Sequence, residues 1–389
     1  MLGAAQAQEG DEPVAVFDQP REGLDPKGLD LGGFRLFPSL TVSETYDDNI
    51  FAEEDDEEAD FITAITGGAL LRSEWTRHDF TFDAQVRHEK FLDNDEQDRT
   101  EYSLVPTIEF ELGGRDTAML TAEHSRQAVG RDDPEEDDDE EPTQFNRFAL
   151  GGEYIHRINR LFFGLEGDAR RDDYFTSGDD DRDRQEFRFG LPVGYEVSVL
   201  TDVKVEPFVR RRDFDEDNSA GADRDSLAAG ALVGIDTELS PLFDVNFDIG
   251  FIANDYDDSR FDSRVDLIFG GEAIWYVTPR TTLFGRASRR DLATSTSSAS
   301  SKTQTTAEFE VQQELQRDLL LGGRLQYIND DFQNNDRTDD RAIASLSLEY
   351  LLNRNFSLLA DYRHEERWSN QEGEDFSRNL VTVGFRARF

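Results

Sequence analysis

From Phe34 onward, apolar and polar residues trade places one for one through stretches of about 12–15 residues, a period of two that constrains the chain more than any other feature. Only an extended strand places successive side chains on opposite faces. Along 243–253, Phe243, Val245, Phe247, Ile249 and Phe251 share one face, against Asp244, Asn246, Asp248 and Gly250. Residues 80–89 and 356–365 repeat the pattern. A soluble sandwich could produce it too, but its strands usually run only about 5–6 residues. Aromatics gather near the strand ends, among them Trp75, Tyr154, Tyr195, Trp275, Tyr276, Tyr350 and Trp368. Long tilted strands with aromatics at both ends suit the wall of a membrane barrel.

The connections alternate as well. Tight ones, such as Gly113-Gly114-Arg115-Asp116, Ser240-Pro241 and Asn353-Arg354-Asn355, recur about every 40 residues. Between them lie longer segments, mostly acidic, around 47–59, 92–98, 130–144, 176–184, 217–224, 257–261, 294–302, 333–338 and 369–376. Outer-membrane barrels have short periplasmic turns and longer extracellular loops, so this alternation also orients the chain. The expected fold is all-β, a closed antiparallel transmembrane barrel of about 18 strands over 34–389, with both termini periplasmic.

Composition narrows the partners. Lys and Arg total 41 against 85 Asp and Glu, a formal charge of -44, which excludes a nucleic-acid partner. Thirty Phe and ten Tyr are too many for a disordered polyanion. Without cysteine there is neither a disulfide nor a thiolate-held metal, and the five His are dispersed, so no metal or cofactor is expected. No window approaches the roughly 20 apolar residues of a membrane-spanning helix.

At the N-terminus, Ala5-Gln6-Ala7 fits the small-x-small pattern before a signal-peptidase cut, so 1–8 reads as a signal-peptide remnant. Residues 9–33 carry Pro13, Pro20, Pro26 and several Gly without a sustained period, and read as a flexible periplasmic segment. At the other end, Val381, Val383, Phe385, Ala387 and Phe389 take the lipid side while Leu380, Thr382, Gly384, Arg386 and Arg388 point inward, as in a closing strand. Its aromatic end, with Phe385 and Phe389, is similar to the signal read by the outer-membrane assembly machinery.

Residues 34–51, FRLFPSLTVSETYDDNIF, carry a further likeness. A first strand with a Pro, a Tyr46-Asp47-Asp48-Asn49-Ile50 run, and a large barrel ending in Phe resemble the β-barrel porin type 2 family of Gram-negative outer membranes. That resemblance implies a link to exopolysaccharide or capsule production.

If the faces hold, the lumen is lined by Arg87, Arg147, Arg170, Arg188, Arg210, Arg212, Arg286, Arg290, Arg324, Arg363 and Arg386, with Glu166, Asp168, Glu206, Asp248, Glu310 and Asp361. Charge rings of this kind set ion or saccharide preference. The bland account is a cross-strand ion-pair network that satisfies the wall. The Arg210-Arg211-Arg212 and Arg289-Arg290 runs are harder to neutralise locally and are the expected constriction or polyanion-contacting strip.

No nucleophile elbow, glycine-rich phosphate loop or zinc helix occurs, so no enzyme is expected. The acidic loops lack EF-hand spacing, which leaves a solvated, high-salt-adapted surface ahead of diffuse binding of divalent cations bridging to lipid and lipopolysaccharide. The charge of loop 130–144 suits the exterior better than an inward constriction. The first functional expectation is a porin-like channel for passive passage or export of hydrophilic solutes, exopolysaccharide included. The alternatives are a structural or adhesive surface barrel with cation-binding loops, and a barrel lipase or protease.

Overall fold

The computed structural model describes residues 13–136, 141–176, 178–296 and 298–389. Residues 1–8, read as a signal-peptide remnant, lie outside them. In chain order the strands are β1 (Leu29–Asp30), β2 (Phe34–Asp47), β3 (Asp60–Ser73), β4 (His78–Phe91), β5 (Arg99–Leu112), β6 (Asp116–Ala128), β7 (Gln144–Ile158), β8 (Leu161–Tyr174), β9 (Arg184–Gly190) and β10 (Val193–Ser198). There follow β11 (Thr201–Phe214), β12 (Ser226–Ser240), β13 (Phe243–Tyr256), β14 (Arg264–Thr278), β15 (Thr281–Leu292), β16 (Lys302–Gln316), β17 (Leu319–Phe332), β18 (Thr338–Leu351), β19 (Phe356–Ser369) and β20 (Phe376–Arg388).

The short β1 pairs only with the start of β2. β9 and β10 are two parts of one wall strand, both paired to β8 and β11 and interrupted at Leu191-Pro192. Pro192 has no N–H for the ladder. Each wall strand is antiparallel to its neighbours, and β2 pairs with β20 from Ser39↔Arg388 to Asp47↔Leu380, so the sheet closes. The result is a closed antiparallel barrel of 18 strands, as the alternation predicted.

Local chemistry sets the short turns. Gly113 and Gly114 both take positive φ, 82° and 77°, between Leu112 and Asp116, a backbone that side-chain-bearing residues resist. The outward face is continuous and apolar, with exposed Val42, Ile65, Val86, Leu150, Leu165, Phe189, Val209, Val233, Phe251, Leu267, Phe309, Leu325, Leu346, Leu358 and Val383. Trp75, Tyr195, Trp275 and Tyr350 are exposed toward the short-turn end, and Tyr46, Tyr327 and Trp368 toward the long-loop end. The inward face is not wholly polar: Phe208, Ala228 and Ile252 pack with Leu232 and Ile268 on β11–β14.

A candidate bore closed by its own loops

Inward charges form ladders. Arg188 bonds Glu166 at 2.6 Å and also meets Glu206 and Asp168. Arg286 gathers Glu272 (2.5 Å), Glu308 (2.6 Å) and Glu310 (2.9 Å), and Arg324 joins at Glu310 (3.1 Å). Arg147 and Arg170 converge on Asp172, at 2.7 and 3.5 Å. Arg87 pairs with Glu89, Lys204 with Asp248 (3.3 Å) and Arg386 with Glu349 (3.4 Å), while Asp361 stays exposed. Paired charges on neighbouring strands satisfy one another, as the bland account requires.

The arginine runs do not form a free strip. Arg210 and Arg212 are buried, and both reach Asp291, at 2.6 and 3.5 Å, with Arg212 also on Glu186 at 2.9 Å. Arg211 lies on the opposite face and pairs with Asp213, Asp225 and Asp257. Arg290 is exposed, and its neighbour Asp291 makes the contacts inside. Pairing of β15 with β14 stops at Arg289↔Phe269, so the last residues of β15 follow β16 alone and turn over the bore. The neutralising partner stands about 80 residues from the arginines, beyond any local reading.

The loops of this end fold inward. In 293–301, Thr294, Ala299, Ser300 and Ser301 are buried, and Arg224, itself buried, donates to the Thr294 carbonyl. The acidic loop after β6 goes further. Lys302, which holds Glu135 at 2.6 Å and lies 3.6 Å from Asp133, stands on β16; β8 to β15 separate it from β7. The loop therefore spans the bore. Asp132 reaches β18, β19 and β20: Arg341 bonds its carboxylate and, at 2.7 Å, its carbonyl, while Arg378 lies at 3.3 Å and Arg363 at 4.0 Å. The expectation that this loop suits the exterior is corrected. Its acidity is what binds it inside, because the far wall presents cations.

Charge and burial act together here. Burial raises the Asp132 carboxyl, but Arg378, Arg341 and Arg363 outweigh that and hold it below the usual carboxylate range. Burial likewise works against ionised Glu135, and Lys302 with the Thr294 and Ser295 donors brings it down to about 2. Glu136 has weaker help, 3.7 Å from Arg131, and burial pushes it up to about 7. Around the loop lies a cavity of about 490 Å³, bordered by Arg131, Glu136, Arg182, Arg367 and Glu374.

The short-turn end is covered differently. Val16 is fully buried against Leu320 and Leu351, with Leu24 alongside, and its N–H donates to Thr282 Oγ1 at 3.2 Å. The Phe17 N–H donates to Gln312 Oε1 at 3.0 Å, and Arg21 lies 3.6 Å from Glu314. Among the described residues of 9–33, those from Val14 to Leu24 are thus seated in the mouth of the barrel.

Elsewhere, Phe389 closes the chain with its N–H on the Pro38 carbonyl at 3.1 Å, and Phe385 stacks on Phe356 at 5.5 Å. Outside the bore, Asp223, Asp225 and Asp257 bring carboxylates within 4.8 Å, with Arg211 on two of them. Of the residues that seat the acidic loop, sequence reasoning placed Arg363 in the bore and passed over Arg341, Arg378 and Lys302. Alternation could have found all three: Arg341 shares the face of Ser345 and Glu349, Arg378 that of Thr382 and Arg386, and Lys302 that of Glu308 and Glu310.

Residues 22–389 match the model of a family described as "Putative beta-barrel porin 2". No curated protein matches. Among solved structures, the chain is similar to the outer membrane protein opdK from Pseudomonas aeruginosa, with TM-score 0.48 and 10% identity over 91% of this chain and 99% of that one. It is also similar to Pseudomonas aeruginosa OccK2 (OpdF), with TM-score 0.49 and 10% identity over 91% and 98%. Acinetobacter baumannii OccAB3 follows, at 0.45 and 11% over 91% and 99%.

Proposed function

The chain belongs to the beta-barrel porin 2 family, whose model spans residues 22–389, and from that premise we propose that this porin-like outer-membrane barrel is a channel for hydrophilic solutes. The observation that carries the proposal is the wall itself. Eighteen strands enclose more room than side chains can fill, and the inward face carries paired charges of both signs. The long-loop end faces the outside and both termini face the periplasm, because short turns belong on the periplasmic side. Lipopolysaccharide then surrounds the exposed apolar belt, and the assembly machinery reads the strand ending in Phe385 and Phe389. Export of an exopolysaccharide is the narrower version of this reading, and rests on the family likeness alone. The adhesive alternative is weakened by loop 130–136, whose carboxylates turn into the bore instead of outward.

Planar-bilayer recording tests the proposal. The purified full chain is expected to give discrete conductance steps, and deletion of residues 9–33 to enlarge them. Folded protein that is electrically silent with and without that segment would refute the channel.

A further inference from the structure

Three arginines on adjacent strands face one point in the bore. Arg341, Arg363 and Arg378 share the wall carboxylate Glu365, fully buried, at 3.7, 2.9 and 3.0 Å. Asp47 adds a distant contact to Arg378, 3.9 Å away. Around one wall acid and this outlying one the cluster keeps an excess of positive charge, and that excess is met by Asp132, delivered on a loop from the opposite wall. One carboxylate oxygen of Asp132 faces Arg378 and the other faces Arg341 and Arg363. That is how a guanidinium cluster takes a carboxylate ligand. Gly130 makes the presentation possible, since a Cβ there would overlap the Asp132 carboxylate.

We infer that Arg341, Arg363 and Arg378 form a binding site for a carboxylate-bearing solute, and that Asp132 fills it as a tethered internal ligand in the closed state. An external carboxylate competes with Asp132 and, by replacing it, releases the loop from the far wall. The inference rests on the channel reading for its purpose, but not for its binding geometry. An isolated wall ion-pair network would need no partner from across the bore, whereas a site with a vacancy for one carboxylate does.

Glucuronate is the probe, with glucose as the uncharged control, and calorimetric titration of the detergent-solubilised full chain reads binding independently of conduction. While Asp132 occupies the site, the apparent affinity is lowered by the fraction of time the site is free. Asp132→Ala is therefore expected to bind glucuronate about tenfold more tightly than the wild type, or more, with glucose unaffected. Gly130→Ala, which disturbs the presentation without altering a charge, is expected to move in the same direction. Adding Arg378→Gln to Asp132→Ala should return the affinity to the wild-type level or below. Equal glucuronate affinity in wild type and Asp132→Ala, or a double variant as tight as the single, overturns the site. A tight site in a chain that does not conduct would keep this inference and remove the channel; a conducting chain with unchanged binding would do the reverse.

Discussion

The two ends of the barrel are covered by opposite kinds of physics. At the long-loop end, carboxylates of one loop meet cations of the far wall: half-buried Asp132 on Arg341 and Arg378, buried Glu135 on Lys302. At the short-turn end, Val16 and Leu24 pack on Leu320 and Leu351, helped by a few hydrogen bonds and the ion pair of Arg21 with Glu314. A charged contact is strong only while every partner is present, and a lone buried ion is costly. An apolar contact scales with area and is indifferent to pH and to charge. The difference teaches that one mouth can respond to solution conditions while the other keeps its cover.

The largest separation of the two should come from Lys302→Met. It strands Glu135 without its cation, a loss of about 3–5 kcal/mol for a broken buried pair. The loop is expected to leave the bore and single-channel conductance to rise severalfold, with the short-turn end unaffected. A Lys302→Met channel identical to the wild type would show that the loop is held by something else.

Next comes Val16→Ala, which removes apolar contact worth about 1.5 kcal/mol at the other mouth. Faster proteolysis of the N-terminal segment should report it, at the same rate in dilute and concentrated salt. A strong salt dependence there would erase the contrast.

The smallest effect, on the order of 1 kcal/mol across the window from pH 6 to 8, concerns pH. Glu136 is raised by burial to about 7, so the docked loop favours its protonated form. That contribution is fully present below the ordinary glutamate range and is lost as pH rises through about 7. Asp132 and Glu135 have the opposite sign: lowered in the docked loop, they stabilise it above the ordinary carboxylate range and fail only in strong acid. Conductance should therefore climb between pH 6 and 8, and Glu136→Gln should flatten the climb. The N-terminal cover, with no such group in its apolar contact, should show no matching step.

Much of this molecule is written in the sequence. The 18 wall strands were legible because a period of two over long segments, punctuated by turn residues, specifies both length and face. The inward positions of Arg188, Arg286 and Arg324 followed from the same rule. Alternation says nothing about which way a loop leans, so the inward fold of 130–136 was not legible, and its acidity argued for the wrong side. What decides the matter is a contact between Asp132 and Arg341, 209 residues apart. The neutralising of Arg210 and Arg212 by Asp291 is the same lesson, since a run of like charges looks unpaired only until the fold brings its partner.

Which face of the wall meets lipid decides whether the barrel is a membrane channel at all. With no native cysteine, single cysteines at Ser345, Leu346, Thr382 and Val383 can each carry a fluorophore in reconstituted vesicles. Labels at 346 and 383 are predicted to be quenched by a lipid-borne nitroxide and labels at 345 and 382 by an aqueous quencher. All four reached only from water, or the two sets exchanged, would contradict the membrane channel.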